Sequence, residues 1–202
     1  MNNKVGILGG SFNPIHLGHI LMCQYAYEEL NLDKVYLLPN ENPPHKTNKN
    51  MLSGIDRLKM CQISAENNGF LDTLDYEINN LSTNYSINTL KTLLNGKLKG
   101  KEIYFIIGAD SLMNFETWKD YTEIFKLVKL VCIERTEFKK KEIENKISEF
   151  NDKFGAEILV IKMPLIQISS TDIRKRILNN KSVKYMIDGD VLKYINKMNY
   201  YR

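Results

Sequence analysis

The sequence predicts a single α/β domain, built on a doubly wound parallel sheet flanked by helices and completed by C-terminal helices. Three observations support this prediction. The chain has 202 residues, a length that suits one domain with a sizeable core. Short apolar runs alternate along it with longer amphipathic segments, which is the pattern of βαβ units. No repeat, low-complexity tract or linker divides the chain, so we expect residues 1–202 to form one domain.

The predicted strands are continuous apolar runs of four or five residues. Runs of this length fit strands that are buried on both faces, as in a parallel sheet. They are Val5–Leu8, Val35–Leu38, Ile103–Ile107, Leu130–Ile133 and Ile158–Ile161. In a Rossmann-like sheet of this kind, ligands bind beyond the C-terminal ends of the strands. The segments that begin at Gly9, Pro39, Gly108 and Glu134 are therefore the expected positions of a site.

The segments between these strands predict helices. Ser53 begins one of them, and Asp56 follows three residues later in a capping-box pattern. Leu58, Cys61 and Ala65 then share one face of that helix. The other predicted helices are Leu17–Leu30, Ile87–Leu94, Glu137–Phe154, Thr171–Leu178 and Val191–Met198.

Composition and charge exclude several classes of protein. No stretch of about 18 apolar residues occurs, and the N-terminal apolar run is too short for a signal peptide. Cys23, Cys61 and Cys132 are scattered without a CxxC pair, which argues against disulfides and against a zinc site. We therefore expect a cytoplasmic protein without a membrane partner. The net charge of +4 is mild, so no nucleic-acid partner is expected. The oligomeric state stays open, and a homo-oligomer is compatible with the sequence.

The first chemical motif, GGSFNPIHLGH, follows the first predicted strand. Gly9 and Gly10 allow a tight turn and a close approach of the backbone to a ligand. His16 and His19 lie three positions apart, on one face of the first helical turn, and Gly18 leaves room beside them. Unpaired N–H groups at a helix start favour a phosphate, and two imidazoles can add hydrogen bonds to it.

Other interpretations of the histidine pair are weaker. A lone histidine is more often structural, and an HxxH pair without a nearby acidic partner is a weak metal signal. The glycine spacing is not GxGxxG, the dinucleotide fingerprint of dehydrogenases. All three histidines of the chain, His16, His19 and His45, lie in the loops after the first two predicted strands. This placement favours phosphate contact.

Two further segments are candidates for anion binding. The loop PNENPPHK is stiffened by prolines and ends on His45 and Lys46, although such loops are often only connections. The segment ISSTDIRKRI has three hydroxyl residues, Ser169–Thr171, before a helix, and any of them could be its cap. Arg174 is expected on the first turn of that helix, where the dipole disfavours a cation unless an anion shares the site.

The remaining candidates are individually more typical of scaffold than of a site. Asp110 follows a strand end, where a carboxylate could accept hydrogen bonds from ribose hydroxyls. Tyr85, Ser86 and Trp118 could pack against an aromatic ring and orient it. Arg135 follows the fourth predicted strand and could meet a phosphate.

Taken together, these motifs resemble the HxGH nucleotidyltransferase superfamily, and within it the bacterial nicotinate-nucleotide adenylyltransferases. GGSFNPIHLGH matches the family's opening motif, and ISSTDIR matches its ISxTxIR motif. The PPHK loop, the NYSINTL and FIIGADS segments and Trp118 occur in the family's order and spacing. Asn13 stands where the family often has aspartate, and Ser86 where threonine is common. The likeness covers nearly the whole chain, although residues 138–152 carry no family signal.

The resemblance implies adenylyl transfer from ATP to nicotinate mononucleotide in NAD biosynthesis, by in-line attack and without a covalent intermediate. It implies that Mg²⁺ bridges the substrate phosphates, with no metal site formed by the protein. The implied catalytic residues are His16, His19, Lys46 and Arg174. The implied substrate-binding residues are Gly9, Gly10, Ser11, Phe12, His45, Tyr85, Ser86, Asp110, Trp118, Arg135, Ile168, Ser169, Ser170 and Thr171.

Three alternatives stay open from the sequence. A phosphopantetheine adenylyltransferase would share the histidines but not the combination of PPHK with Trp118. A fragment of a class I aminoacyl-tRNA synthetase would share a HIGH-like motif, but the chain has no anticodon-binding region. A nucleotide sensor would bind ATP without turnover, and the intact set of histidines, lysine and arginine argues against it.

Overall fold

A parallel sheet organises the computed structural model, which describes residues 3–41, 51–80, 84–134 and 140–202. Within these residues, six strands are ordered β3-β2-β1-β4-β5-β6, and every neighbouring pair is parallel. The strands are β1 (Lys4–Gly10), β2 (Lys34–Pro39), β3 (Leu71–Thr73), β4 (Glu102–Gly108), β5 (Lys129–Glu134) and β6 (Ile158–Lys162).

Helices flank the sheet on both faces. They are α1 (Leu17–Leu30), α2 (Gly54–Glu66), α3 (Tyr76–Asn79), α4 (Ser86–Asn95), α5 (Ala109–Met113), α6 (Tyr121–Leu127), α7 (Lys140–Phe154), α8 (Ser170–Leu178) and α9 (Gly189–Lys197), with a 3₁₀ turn at Phe115–Thr117. The predicted fold class, a single-domain doubly wound sheet with C-terminal helices, is confirmed. The predicted start of the α7 segment at Glu137 lies outside the described residues.

The sequence missed the shortest elements. β3 has only three residues, with Asp72 at its centre, so no apolar run marks it. Helices α3, α5 and α6 are four to seven residues long, too short to show a helical period. The expectation that every strand is buried on both faces fails for β6, which forms an edge of the sheet and leaves Val160 40% exposed.

Alternating side chains of the strands divide the core into two layers. On β4, Ile103, Phe105 and Ile107 join the layer that includes residues of α4 to α7. Tyr104 and Ile106 point to the other face and join the layer that includes residues of α1, α2, α8 and α9. The alternation follows from the two-residue period of a strand.

The order of the sheet reverses beside β1. β1 pairs with β2 on one side and with β4 on the other, so the chain winds outward in opposite directions from this pair. The connections that leave the C-terminal ends of β1 and β4 therefore diverge. In open α/β sheets this divergence opens the crevice in which ligands bind.

Helix α2 buries a charged side chain that the sequence did not indicate. Its buried face includes Arg57, whereas Leu58 and Ala65 of the expected face are only partly buried. Arg57 is fully buried because its guanidinium finds partners on every side. Nη1 donates to the carbonyl oxygens of Ser11 at 2.8 Å and Asn40 at 2.6 Å.

The same guanidinium also holds the start of its own helix. Nε of Arg57 donates to the carbonyl oxygen of Leu52 at 3.0 Å, and Nη2 lies 3.3 Å from a carboxylate oxygen of Glu41. One side chain thus joins the loop after β1, the loop after β2 and the entry to α2. Ser53 caps that helix by accepting a hydrogen bond from the backbone N–H of Asp56, as the sequence predicted.

A second buried charge lies on α3. Glu77 is 5% exposed, and its carboxylate accepts a hydrogen bond of 2.7 Å from the Thr89 hydroxyl on α4. Burial raises the pKa of Glu77 above its ordinary value, and the Thr89 hydrogen bond offsets part of that rise.

We expect Arg57→Lys to lower the free energy of unfolding by about 2–4 kcal/mol, because an ammonium cannot replace a guanidinium that serves three carbonyl oxygens and a carboxylate. Urea unfolding followed by circular dichroism measures the change. Arg176→Lys is the matched control, because the Arg176 guanidinium donates, within the part of the chain that the structure describes, to one exposed carbonyl oxygen, that of Ser182. Equal losses in the two variants would contradict the role of Arg57.

We expect Glu77→Gln to unfold less readily than the unmodified chain at pH 8. A raised pKa in the folded state stabilises the fold below the ordinary pKa of 4.5, and this contribution is lost as pH rises through the folded value. The amide carries no charge and keeps an oxygen for Thr89. Urea unfolding at pH 4 and pH 8 measures the free energy of unfolding of both proteins. The difference in this free energy should widen as the pH rises. A gap independent of pH would contradict this account.

Candidate active site

A cleft of about 1250 Å³ opens at the C-terminal ends of β1 and β4. Gly9 and Gly10 line it from β1, and Gly108 and Asp110 line it from the end of β4 and the start of α5. The cleft therefore lies where the order of the sheet reverses, which is the position that this fold class provides for ligands.

The structure brings most of the predicted binding residues to this cleft. Those that line it are Gly9, Gly10, Ser11, His19, Tyr85, Ser86, Asp110, Trp118, Ile168 and Ser169. Phe12 and His16 are buried behind this surface, and Ser170, Thr171 and Arg174 lie on the helix that follows Ser169. The predicted residues His45, Lys46 and Arg135 lie outside the described residues.

The two histidines of the HxGH motif stack on each other. Their ring centroids are 3.7 Å apart with an interplanar angle of 26°. The backbone N–H of His16 donates to Nδ1 of His19 at 3.3 Å. A neutral His19 that accepts at Nδ1 carries its proton on Nε2, so its other nitrogen is the hydrogen-bond donor. His19 lines the cleft, whereas His16 is 4% exposed and supports it from behind.

The neighbours of the histidines explain why the motif needs its small and aromatic residues. A Cβ atom on Gly18 would lie 3.1 Å from two atoms of the His16 ring, so a larger residue would push that ring by a few tenths of an ångström. Phe12 directs its ring edge-to-face at His19, with centroids 5.0 Å apart. Phe12 has a φ of 44°, a left-handed conformation that a bulky residue rarely adopts. Packing therefore holds the turn in a constrained shape.

Part of the expected anion site at the start of α1 is already occupied by protein contacts. The N–H of Leu17 donates to the carbonyl oxygen of Met186 at 3.0 Å, and the N–H of His19 donates to that of His16 at 2.9 Å. The expectation of unpaired N–H groups does not hold for these two. Leu17 is paired because the segment before α9 packs against the helix start, whereas His19 is paired within the first turn.

Helix α8 is tied to the loop after β1 by two side chains. The Ser170 hydroxyl donates to the carbonyl oxygen of Pro14 at 2.8 Å, and Nη1 of Arg174 donates to that of Asn13 at 2.8 Å. Ser169 is the cap, since its hydroxyl accepts from the N–H of Asp172 at 3.1 Å. The two signature motifs are therefore joined by direct hydrogen bonds.

The position of Arg174 corrects the sequence-based argument about the helix dipole. α8 begins at Ser170, so Arg174 is its fifth residue and not part of the first turn. The helix dipole weakens beyond the first turn, so it does not explain why a cation stands at position 174. Nη2 of Arg174 also lies 3.3 Å from the Thr171 hydroxyl, so protein contacts on both sides of the guanidinium fix its direction.

Another part of the cleft wall is aromatic, and among the described residues it carries the cation Lys119. Trp118 packs against Phe115, with ring centroids 4.9 Å apart, and its edge meets Phe105 at 6.1 Å. Nζ of Lys119 lies 4.4 Å from the centre of the Tyr85 ring, a cation–π distance. Lys119 thus brings a positive charge to the cleft beside the aromatic residues.

Several polar residues of the cleft were not predicted from the sequence. They are Asn40, Glu77, Asn84, Ser111, Asn114, Thr117, Lys119 and Gln167. Proximity along the chain was the available signal for three of them, because Asn40 follows β2, Ser111 follows Asp110 and Lys119 follows Trp118. The others reach the cleft from α3, the segment before α4, the stretch from the end of α5 through the 3₁₀ turn, and the segment before α8, and no sequence pattern indicates this.

A metal-binding cluster and a membrane-spanning helix are both absent from the described residues. Over residues 3–41, 51–80, 84–134 and 140–202, no group of three or more His, Cys, Asp or Glu side chains is arranged to hold a metal ion. No helix in the same ranges is both long and apolar enough to cross a membrane.

Known proteins resemble this chain along nearly its full length. The family model described as cytidylyltransferase-like matches residues 7–176. A protein of Clostridium novyi is 37% identical over 199 residues, which cover 98% of this chain and 99% of the relative. A protein of Clostridium perfringens is 38% identical, with 98% of each chain covered. Both relatives are named probable nicotinate-nucleotide adenylyltransferase.

Solved structures share the fold. The nicotinic acid mononucleotide adenylyltransferase of Plasmodium falciparum, complexed with NaAD, superimposes with a TM-score of 0.76 at 22% identity, over 98% of this chain and 97% of that chain. The same enzyme complexed with APC gives a TM-score of 0.75 at 20% identity, over 98% of this chain and 96% of that chain. The family match and the full-length identity to the clostridial proteins show that this chain belongs to the cytidylyltransferase-like family and, within it, to the nicotinate-nucleotide adenylyltransferases.

Proposed function

We propose that this protein transfers the adenylyl group of ATP to nicotinate mononucleotide, which yields deamido-NAD and pyrophosphate. We further propose that residues 1–202 act as one nucleotidyltransferase domain in the cytoplasm. The proposal is carried by one cleft that two groups of residues line together. The first group belongs to the glycine-histidine loop, residues 9–19, and the second consists of the aromatic residues Tyr85 and Trp118. The names of the clostridial relatives and the NaAD complex of the Plasmodium enzyme point to the same reaction.

The size of the cleft supports binding of two substrates together. A pocket for one drug-sized ligand has a volume of about 300–1000 Å³, and this cleft has about 1250 Å³. The reaction needs ATP and the mononucleotide side by side, with the acceptor phosphate next to the α-phosphorus. Correct placement of two bound reactants can itself supply much of the rate enhancement.

The phosphate end lies where β1, α1 and α8 meet. We propose that Gly9, Gly10 and the His19 side chain contact the ATP phosphates, with Arg174 and the Ser169–Thr171 turn beside them. His16 holds the ring of His19 and is 4% exposed, so we place it behind the phosphate contacts. Ser11, Phe12 and Ile168 complete the same surface, and Asp110 is placed to accept hydrogen bonds from a ribose.

The acceptor end lies between α4 and the 3₁₀ turn. We propose that Tyr85 and Trp118 frame the pyridine ring and that Ser86 donates to its carboxylate. Lys119, which the structure adds to this end, supplies a positive charge that a carboxylate attracts and a neutral amide does not. Lys46 and His45 on the proline-rich loop are proposed to hold the mononucleotide phosphate, and Arg135 to meet a further phosphate; this part rests on the sequence and the family resemblance alone.

In-line attack without a covalent intermediate agrees with the state of the thiols. Cys23, Cys61 and Cys132 are free and buried. Burial raises the pKa of Cys132 to about 12 and raises that of the other two as well, so none of the three is a thiolate at neutral pH. Phosphoryl-type transfer depends mainly on positioning and on charge stabilisation, which the proposed histidine and cations provide.

Mg²⁺ is proposed to enter with ATP. Mg²⁺ usually keeps several water ligands and binds substrate phosphates together with one or two carboxylates. The described residues fit this mode, since Asp110 is a carboxylate on the cleft wall and no metal-binding cluster of protein side chains accompanies it. When bound, the ion would neutralise charge on the phosphates.

Pyrophosphate release in the presence of ATP, Mg²⁺ and a panel of acceptors tests the proposal. The panel contains nicotinate mononucleotide, nicotinamide mononucleotide and phosphopantetheine. Release with nicotinate mononucleotide, and formation of deamido-NAD detected by mass spectrometry, is the expected result. Release only with phosphopantetheine, or ATP binding without turnover, would overturn it.

We expect His19→Ala to lower kcat by about 10²–10³-fold while the fold is retained, because one oriented donor to the developing phosphate charge is lost. Steady-state kinetics and circular dichroism measure the two properties. Gln24→Ala is the control on the same helix, since the Gln24 amide donates to Glu28 on the exposed side of α1. Wild-type turnover in the histidine variant would remove His19 from the site.

We expect Lys119→Met to reduce the preference for nicotinate over nicotinamide mononucleotide by about twofold to fivefold, as expected for loss of an exposed charge pair. The ratio of kcat/KM for the two acceptors at fixed ATP and Mg²⁺ measures this preference. Lys126→Met serves as control, because Lys126 pairs with Glu123 on the exposed face of α6. An unchanged ratio in Lys119→Met would mean that this cation does not recognise the carboxylate.

A further inference from the structure

The segment after α9 returns to the phosphate end of the cleft. The hydroxyl of Tyr201 donates to Oδ1 of Asn13 at 2.7 Å, across 188 positions of sequence. Asn13 is 4% exposed, so this contact lies behind the surface of the cleft and not on the exterior. A buried hydrogen bond to an amide oxygen is costly to remove when nothing replaces the donor.

Asn13 is a junction between several distant parts of the chain. Its backbone carbonyl oxygen accepts from Nη1 of Arg174 at 2.8 Å. Its side-chain oxygen accepts from Tyr201 and, at 3.4 Å, from the backbone N–H of Leu52. The loop after β1, the start of α2, helix α8 and the C-terminal segment therefore meet at one residue. A shift of Asn13 moves the acceptor that orients Arg174.

The surroundings of Tyr201 hold its hydroxyl in place as a donor. Its φ of 64° is left-handed, a strained conformation for an aromatic residue that persists only where packing enforces it. Burial raises the pKa of Tyr201, while the charges of Arg174 and Arg57 act in the opposite direction, which places the phenol near both guanidinium groups. The net rise keeps the hydroxyl protonated, as a donor must be.

We propose that Tyr201 is a positioning residue of the ATP site, which acts through Asn13 to orient Arg174 and to hold the glycine-histidine loop. The proposal rests on the proposed function, because it assigns Arg174 to the ATP phosphates. It also accounts for Asn13 where the family often has aspartate. Both residues offer an oxygen acceptor to Tyr201, so the role requires the oxygen and not the charge.

A kinetic and binding comparison tests this role. The variants are Tyr201→Phe, Arg174→Lys, their combination, and Asn13→Asp. Tyr200→Phe is the matched control, since it removes the same hydroxyl from the neighbouring residue, whose partner is Asp56 and not Asn13. For each protein, kcat and KM are measured for both substrates, and the dissociation constant for ATP is measured by calorimetry without acceptor.

The expected result is specific to ATP. Tyr201→Phe should lower kcat/KM for ATP and weaken ATP binding by about threefold to tenfold, with KM for the mononucleotide unchanged. It should add little to Arg174→Lys, because both changes act on one contact chain. Asn13→Asp should lose less ATP affinity than Tyr201→Phe, because a carboxylate still offers Tyr201 an oxygen acceptor, and Tyr200→Phe should alter stability without altering ATP affinity.

Other patterns would overturn the proposal. Additive effects of Tyr201→Phe and Arg174→Lys, equal effects on both substrates, or the same loss in Tyr200→Phe would reduce Tyr201 to a general stabilising contact. If the unmodified protein binds ATP but adenylylates no acceptor, the proposed reaction fails, whereas the ATP-binding cycle still decides the role of Tyr201. If it binds no ATP at all, both proposals fail.

Discussion

The reversal of strand order beside β1 is the constraint on which the rest of the structure depends. β1 is paired on both sides, yet the chain leaves β1 and β4 toward opposite faces of the sheet. The cleft lies at the C-terminal ends of these two strands. Every residue proposed to contact ATP or the mononucleotide within the described ranges lies on a loop or helix end that leaves this edge or packs against it.

The proposed phosphate contacts lie on a loop, and buried side chains supply the hydrogen-bond donors that the loop backbone needs. The loop from Ser11 to Pro14 lies between β1 and α1, outside both elements, and its buried carbonyl groups need donors. Donors come instead from distant side chains: Arg57 to Ser11, Arg174 to Asn13 and Ser170 to Pro14. The loop is therefore held from three directions, which suits a site that must place phosphates with little freedom.

The two ends of the cleft differ in their means of recognition. At the phosphate end, the stacked histidines and the hydrogen-bonded loop supply fixed donors whose orientation is set before substrate arrives. At the other end, Trp118 and Tyr85 offer flat apolar surface, with the Lys119 ammonium beside them. A polar surface and an aromatic surface beside a lysine suit the two proposed substrates, a polyphosphate and a mononucleotide that carries an aromatic ring.

The sequence by itself determined the fold class, five of the six strands and the positions of both signature motifs. Apolar runs, histidine spacing and strand-end glycines are local patterns, and local patterns are visible in a sequence. Arg57 and the contact between Tyr201 and Asn13 had no such pattern, and Lys119 was marked only by its place next to Trp118. From the sequence alone, an arginine or a tyrosine is expected at the surface, because the oxygen atom that accepts its hydrogen bond is not known. Ser11, an acceptor of Arg57, lies 46 positions away along the chain, and Asn13, the acceptor of Tyr201, lies 188 positions away. Only the tertiary structure decided these partners, because the need to satisfy buried polar groups arises once the sheet and its helices have packed.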